Sequence, residues 1–328
     1  MTEQLAVEVA DLAVRFHQRE RTIHAVNGVS FRLARGEVLG ILGESGCGKS
    51  VTLRALMRLL PANCEIDGRV VINGENVIEA TAERLEELRG GTAAMIFQEP
   101  ATALDPVFTI GEQITETIIR HEGVGHHLAQ QRALQLLERV QIPSARRRLD
   151  SYPHEMSGGM RQRAMIALAL SCNPSVLLAD EPTTALDVTV QIQILLLLRE
   201  LQREFGMAVI FVTHDVGAAI EVSDRLAVMY AGRFVETGSV RDVLKRHAHP
   251  YTEGLLAANL QGAEPGARLI TIPGSPPNLA AMPQGCSFAP RCTLVLDRCR
   301  KTDPPAVGYG DGHMARCLRV AERLTALA

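Results

Sequence analysis

A glycine-rich octapeptide, Gly43-Glu-Ser-Gly-Cys-Gly-Lys-Ser50, leaves few folds open to this chain. Residues 37–42 before it predict a short buried strand, and residues 49–60 after it predict a helix that Pro61 ends. The segment fits the P-loop pattern, in which glycines permit a tight turn and inward N–H groups cradle phosphates. A simple glycine turn is the alternative, but the strand–turn–helix context argues against it. The expected nucleotide contacts are Gly43, Glu44, Ser45, Gly46, Cys47, Gly48, Lys49, Ser50 and Val51.

Within this loop, Lys49 is expected to contact the β- and γ-phosphates of ATP, and Ser50 to bind Mg²⁺. A second stretch, Val176-Leu-Leu-Ala-Asp180-Glu181, predicts a central strand that ends in two acids. Asp180 is expected to help hold Mg²⁺, and Glu181 to polarise the attacking water as a general base. Two solvated acids at a strand end would be the ordinary interpretation in a chain without a P-loop.

Strand-like and helix-like stretches alternate through most of the chain. Strands are predicted at residues 7–16, 25–33, 69–72, 93–97, 175–179 and 208–212, and helices at 110–148 (with a break near Gly123 and Gly125), 159–171, 190–205 and 216–222. This alternation predicts an α/β fold with a mostly parallel sheet covered on both faces. After about residue 251 the composition shifts to Pro, Gly and Cys, which predicts an irregular appendage.

The composition excludes some classes of binding partner for this chain. The 328 residues have a net charge of −3, so no global basic field is available to hold nucleic acid. No apolar run reaches the length that spans a bilayer, and residues 1–8 lack the basic start and apolar core of a signal peptide. We therefore expect a cytoplasmic protein whose membrane role comes through partners.

The segment Met156-Ser-Gly-Gly-Met-Arg-Gln162 resembles the signature motif of the ABC ATPases. In that family the signature residues, here Ser157, Gly158, Gly159 and Gln162, contact ATP held by an opposite subunit. The resemblance extends to Gln98 as the Q-loop glutamine near Mg²⁺, Asp187 in the D-loop, His214 as the switch histidine, and Phe16 as the aromatic that stacks on adenine. It implies an ABC-type nucleotide-binding domain over residues 1–250. Such a domain has a RecA-like core, an N-terminal antiparallel β region and a helical subdomain at about 99–171.

The amino-acid sequences around the Q-loop and after the nucleotide-binding domain resemble those of the oligopeptide/dipeptide importer ATPases. The matching stretches include Phe97-Gln-Glu-Pro-Ala-Thr-Ala-Leu-Asp-Pro106, His249-Pro-Tyr-Thr252 and Ala289-Pro-Arg-Cys292. The resemblance implies that residues 251–328 form that family's C-terminal domain. It also implies two transmembrane permease subunits, a second ATPase that is related or identical, and an extracytoplasmic solute-binding protein. The chain would lie at the cytoplasmic face of the inner membrane as a peripheral subunit.

The solute stays open at this point, because related importers carry glutathione, nickel chelates, murein peptides or sugars as well as peptides. An ABC ATPase of DNA repair or translation is disfavoured, since the chain has one cassette, no heptads and no basic patch. An exporter ATPase is disfavoured because the C-terminal sequence resembles that of the importer ATPases.

Four cysteines in the C-terminal region, Cys286, Cys292, Cys299 and Cys317, have five, six and seventeen residues between them. Four thiolates can hold Zn²⁺ or an iron–sulfur cluster, and the spacing alone does not decide between these and uncoordinated thiols. The family resemblance implies a [4Fe-4S] cluster, with Zn²⁺ as the alternative.

Overall fold

Strands and helices follow the hydrophobic periodicity of the sequence over most of the chain. The computed structural model describes residues 4–258, 271–310, 312–320 and 322. Twelve strands are assigned in these residues: Leu5–His17 (β1), Thr22–Ala34 (β2), Val38–Leu42 (β3), Cys64–Ile72 (β4), Glu75–Asn76 (β5), Ala93–Ile96 (β6), Val176–Asp180 (β7), Ala208–Thr213 (β8), Arg225–Tyr230 (β9), Arg233–Ser239 (β10), Val307–Gly308 (β11) and Met314–Ala315 (β12).

Eleven α-helices are assigned in the same described residues: Lys49–Leu56 (α1), Ala82–Glu87 (α2), Pro100–Ala103 (α3), Ile110–Glu122 (α4), His126–Arg139 (α5), Ala145–Arg148 (α6), Gly158–Ala169 (α7), Val188–Phe205 (α8), Val216–Val222 (α9), Val240–Lys245 (α10) and Pro250–Ala257 (α11). Short 3-10 turns lie at Pro153–Glu155 and Asp297–Arg300. None of the helices in the described part of the chain is both long and apolar enough to cross a membrane.

The chain divides into two compact units. Unit 1 comprises the described residues of Met1–Val7, Arg32–Glu37 and Val71–Phe211. Unit 2 comprises those of Glu8–Phe31, Val38–Val70 and Val212–Ala328.

Unit 1 contains the parallel pair β6 and β7. Ala93 lies opposite Val176 and Ile96 opposite Ala179, and every residue of both strands is buried. Full burial explains why these strands are continuous apolar runs, as in sheets covered on both faces.

Helices α4, α5 and α7 of unit 1 pack against one another. Ile110, Ile114 and Ile118 place one buried stripe along α4, and Thr109 begins that helix with a capping box that Glu112 completes.

Unit 2 contains a sheet in the order β11-β12-β10-β9-β3. Strands β3 and β9 are parallel, whereas β9–β10, β10–β12 and β11–β12 are antiparallel. A two-residue turn joins β9 to β10, and both its residues, Ala231 and Gly232, have positive φ, as hairpin turns require. The sheets are therefore mixed rather than mostly parallel. In a second sheet, β2, β1 and β4 lie side by side in unit 2.

The C-terminal segment, here called the tail (described residues between 271 and 322), packs within unit 2. Phe288 is 3% exposed, and its ring centroid lies 5.2 Å from that of Tyr230 and 5.4 Å from that of Tyr251. Strand β12 of the tail extends the sheet through β10. A division of the chain at residue 250 remains a prediction, since the tail shares an apolar core with β3, β9 and β10.

Candidate active site

The P-loop has the backbone geometry that its sequence predicts. Buried β3 leads into the turn, and α1 begins at Lys49. Gly48 has φ of +108°, and a Cβ there would lie 2.4 Å from the carbonyl oxygen of Ala25. Only glycine fits this position, because a side chain would meet both an unfavourable φ and a backbone atom.

Lys49 is buried in the loop that it closes. It is 4% exposed, and its Nζ donates to the carbonyl oxygens of Gly43, at 2.7 Å, and Glu44, at 3.0 Å. Ser50 follows in the first turn of α1, and Ser45 and Gly46 are exposed at the mouth of the turn. Burial raises the pKa of the Cys47 thiol, so this cysteine is held as a neutral, inert side chain.

Two further predicted residues belong to unit 2 with the P-loop. Phe16 lies near the end of β1 and is partly exposed. His214 directly follows β8 and is exposed, and the next residue, Asp215, caps α9 by accepting from the N–H of Ala218 at 3.1 Å. Their roles toward adenine and the γ-phosphate remain predictions.

The acid pair lies at the end of β7 in unit 1. Asp180 is 1% exposed, and Glu181 has φ of +46°, a conformation that non-glycine residues adopt at a cost. Gln98 Nε2 donates to Glu181 Oε2 at 3.2 Å, and Thr184 Oγ1 donates to the same oxygen at 3.0 Å. Parallel pairing of β6 and β7 explains why Gln98 and Glu181 meet, because both follow the carboxyl ends of neighbouring strands.

The signature and D-loop residues both begin helices of unit 1. Ser157 caps α7, with its Oγ accepting from the N–H of Met160 at 3.4 Å, and Gly158 and Gly159 form the first turn. Asp187 caps α8 by accepting from the N–H of Val190 at 3.0 Å. A helix N-terminus with free N–H groups is a suitable site for a phosphate.

Gln162, one turn into α7, is 2% exposed. In the part of the chain that the structure describes, its Nε2 has no hydrogen-bond partner. The amide is therefore buried, and the contact of Gln162 with nucleotide remains a prediction.

Comparisons with known proteins decide the family. Residues 26–184 match the ABC transporter family, and residues 235–299 match the C-terminal region of oligopeptide/dipeptide transporters. The oligopeptide transport ATP-binding protein OppD of Salmonella typhimurium is 46% identical over 97% of this chain and 95% of its own length. OppD of Escherichia coli is also 46% identical, over 97% of this chain and 94% of its own length.

This chain belongs to the oligopeptide-type ABC transporter ATP-binding family. A solved structure of the ATP-binding cassette MJ0796, a dimer in a post-hydrolysis state bound to ADP and Pi, superposes with a TM-score of 0.65. It is 29% identical and covers 72% of this chain and 99% of its own. The predicted ABC cassette fold is thus confirmed, with mixed α/β sheets, and so is the identification of an ABC-type ATPase.

The donors predicted for Mg²⁺ suit that ion in this ABC ATPase. A hydroxyl (Ser50), an amide oxygen (Gln98) and a carboxylate (Asp180) are hard oxygen ligands, and Mg²⁺ bound with ATP takes few protein ligands beside phosphates and water.

The four cysteines predicted to bind a metal lie around one cavity of the tail. Cys286, Cys292, Cys299 and Cys317 line one small, mostly apolar cavity, together with His249 and Phe288 among other residues. Burial raises the pKa of Cys286 to about 11, which favours its thiol form. Across residues 4–258, 271–310, 312–320 and 322, no group of three or more His, Cys, Asp or Glu side chains is arranged to hold a metal ion. The structure therefore does not support the predicted [4Fe-4S] cluster or the zinc alternative.

Sequence reasoning missed three partners of the loops. Thr184 supports Glu181, Tyr251 Oη accepts from the N–H of Glu44 at 2.9 Å, and Arg291 pairs with the Glu44 carboxylate. Tyr251 and Arg291 lie in two stretches that resemble the importer ATPases, residues 249–252 and 289–292, but neither stretch indicates a contact with Glu44.

Proposed function

We propose that this chain binds and hydrolyses ATP to drive the import of oligopeptides or dipeptides through a membrane transporter. The observation that carries the proposal is the strand–P-loop–helix segment with buried Lys49, in a chain whose Glu181 is held by Gln98. Support for the peptide substrate comes from relatives that are oligopeptide transport ATP-binding proteins and from the match of residues 235–299. Glutathione, nickel chelates, murein peptides and sugars are the alternative solutes.

The roles of the residues follow their chemistry. Lys49 and the loop N–H groups would bind the β- and γ-phosphates, and Phe16 would stack on adenine. Ser50, Gln98 and Asp180 would hold Mg²⁺, which neutralises phosphate charge when it is bound. Glu181 would accept a proton from the attacking water, and His214 would contact the γ-phosphate.

Two hydrogen bonds to one oxygen of Glu181 support the assignment of the base. Gln98 and Thr184 both donate to Oε2, so two donors fix one oxygen of the carboxylate. Fixed donors orient the carboxylate, and orientation of the base is part of its efficiency.

The assembly we propose is a dimer of ATPases beneath two permease subunits, fed by an extracytoplasmic solute-binding protein. Ser157, Gly158, Gly159 and the D-loop residue Asp187 of one ATPase would face the nucleotide of the other. The second ATPase is expected to be a related chain, with two copies of this chain as the alternative. The subunit would be peripheral, at the cytoplasmic face of the inner membrane, and would not bind nucleic acid.

The test is Glu181→Gln in the purified transporter complex. The variant should bind MgATP with wild-type affinity and lose nearly all turnover, because the amide cannot accept the proton. Trapped ATP-bound dimer, measured by size-exclusion chromatography with labelled ATP, is the second expected result. Turnover within threefold of wild type would remove Glu181 from the role of base. The substrate class is tested by measuring ATPase activity in proteoliposomes with the binding protein present. Peptides should stimulate this activity more than glutathione, nickel chelates, murein peptides or sugars.

We also propose that the four cysteines of the tail bind a [4Fe-4S] cluster, with Zn²⁺ as the alternative. The support is that all four line a single cavity and that residues 235–299, which include three of the four cysteines, match the oligopeptide-type C-terminal region. The cysteines would have to move closer together to bind the cluster, because the described side chains are not arranged to hold a metal ion. Anaerobic purification followed by iron, zinc and sulfide assays decides this. Four irons per chain are expected. One zinc without iron would replace the cluster, and neither metal would leave the cysteines without a metal-binding role.

A further inference from the structure

A buried arginine of the tail reaches the P-loop. Arg291 is 6% exposed, and its guanidinium makes two hydrogen bonds to the carboxylate of Glu44, at 2.6 and 3.0 Å. Glu44 is the second residue of the phosphate-binding octapeptide, and the two residues are 247 positions apart in sequence. Paired bonds of this kind fix geometry as well as charge.

The remaining contacts hold the guanidinium in place independently of Glu44. Its Nε donates to the carbonyl oxygen of Pro273 at 2.8 Å, and a terminal nitrogen lies 3.4 Å from that of Ile272. The other terminal nitrogen lies 3.5 Å from the hydroxyl of Tyr230, and Cζ lies 5.8 Å from the centroid of that ring. The arginine is therefore a rigid element of the tail, and Glu44 is held against it.

Glu44 is also tied to the phosphate-binding machinery through its backbone. Its N–H donates to the hydroxyl of Tyr251, and its carbonyl oxygen accepts from Nζ of Lys49 at 3.0 Å. Any shift of Glu44 would therefore move an acceptor of the P-loop lysine.

A carboxylate in an anion-binding loop has an electrostatic cost. The side chain of Glu44 is only 28% exposed, so water screens its charge incompletely, and an uncompensated charge here would repel the phosphates of a nucleotide. The guanidinium cancels that charge. We propose that Arg291 is a positioning residue for ATP binding, which neutralises and orients Glu44, so that the tail sets the nucleotide affinity of the P-loop. This inference rests on the proposed function.

Arg291 lies in the segment of the tail that carries two of the four cysteines. The arginine lies in consecutive turns between Cys286 and Cys292, in which the N–H of Ala289 donates to Cys286 O and that of Arg291 to Phe288 O, both at 3.0 Å. These turns fix the backbone of Arg291 within the cysteine-bearing segment of the tail.

The experiment is a charge cycle on the full-length chain, with MgATP affinity measured by isothermal titration calorimetry. Arg291→Met keeps the length of the side chain and removes its charge. It should raise the Kd for MgATP about 5- to 10-fold, at the low end of coupling between sites because Glu44 is partly exposed. Adding Glu44→Gln to that variant should restore most of the affinity, since the uncompensated charge is then gone. Arg291→Lys should retain most of the affinity, and the loss in Arg291→Met should shrink in about 0.5 M salt.

A matched control is Arg298→Met, the same change at an exposed arginine of the tail, which should leave the Kd unchanged. Restoration by the second substitution is the decisive result, because a tail that had merely unfolded would not regain affinity when Glu44 loses its charge. Equal loss in the single and double variants, or wild-type affinity in Arg291→Met, would overturn the inference alone. Absence of MgATP binding by the wild-type chain would overturn the proposed function, and the inference with it.

Discussion

The carboxylate of Glu236 should anchor the tail, and its removal should destabilise unit 2. Glu236 lies in β10 and is 0% exposed. Its Oε1 accepts from the hydroxyl of Tyr309 at 2.7 Å, from the N–H of Ala248 at 2.7 Å and pairs with His313 Nε2 at 3.0 Å. Its Oε2 accepts from the N–H of His249 at 3.0 Å. Tyr309 and His313 belong to the tail, so one buried acid joins it to β10.

The magnitude of Glu236→Gln follows from these contacts. The amide oxygen can keep the three bonds at Oε1, but the NH₂ group then faces the N–H of His249, and both donors are left unsatisfied. An unsatisfied buried donor costs about 1–3 kcal/mol, and each retained bond loses the benefit of a charged acceptor, about 1 kcal/mol. Relief from burying a charge offsets part of this cost. The expected loss of stability is about 3 kcal/mol.

The effect should depend on pH. Burial by itself would raise the pKa of Glu236, but hydrogen bonds that include those from His313, Tyr309 and the N–H of Ala248 outweigh it, and the pKa is lowered. A carboxylate with a depressed folded-state pKa stabilises the fold above its unfolded pKa of about 4.3, and loses that contribution as the pH falls through the folded pKa. The stability gap between wild type and variant should therefore be full at pH 7 and shrink below about pH 4.

Urea unfolding at pH 7, with limited proteolysis to report release of the tail, measures the effect. Glu221→Gln is the matched control, because Glu221 is exposed on α9 of the same unit and should change stability by less than about 0.5 kcal/mol. A loss below about 1 kcal/mol in Glu236→Gln, or a gap that does not vary with pH, would refute the reasoning.

Three further expectations concern the loops. Gly48→Ala should weaken MgATP binding about 10- to 100-fold, since its Cβ would meet a backbone oxygen in addition to an unfavourable φ. Gly46→Ala has the strain of a positive φ without that clash, so it should lose less affinity, and equal losses would contradict the steric account. Asp187→Ala should destabilise α8 by about 1 kcal/mol through the lost cap to Val190, whereas Asp187→Ser should keep the cap and reveal any separate effect on ATPase rate. The isolated subunit should be a poor ATPase that gains specific activity with concentration, because its site needs the Ser157 loop of a second subunit; specific activity independent of concentration in a proven monomer would be the contrary result.

Much of the local structure could be predicted from sequence. Helix α9 was predicted with the bounds observed, and β3, β6, β7 and β8 came within about two residues, because buried strands and amphipathic helices carry their periodicity in neighbouring side chains. The helix predicted to run to residue 60 ends at Leu56, and nothing in its apolar pattern marks that end. Strands β9 and β10 were not predicted, and antiparallel pairing that makes the sheet mixed depends on them. Helix α11 was not predicted either.

The sequence by itself determined the chemistry of the nucleotide site. The P-loop works through backbone N–H groups and glycine φ angles that adjacent residues specify, so an octapeptide suffices to define it. The acid pair at the end of β7 and the capped start of α7 are local in the same sense.

Only the tertiary structure decided which distant groups meet. Gln98 reaches Glu181 across 83 positions because two parallel strands end at one edge of the sheet. The sequence of either strand alone does not specify which strand lies beside it. Arg291 reaches Glu44 because the tail packs on the aromatic cluster of unit 2, where a buried charge must find an opposite charge. The spacing of the four cysteines in sequence does not establish a metal site. Their residue type suggested a metal, but whether four thiols converge at coordination distance depends on how the tail folds.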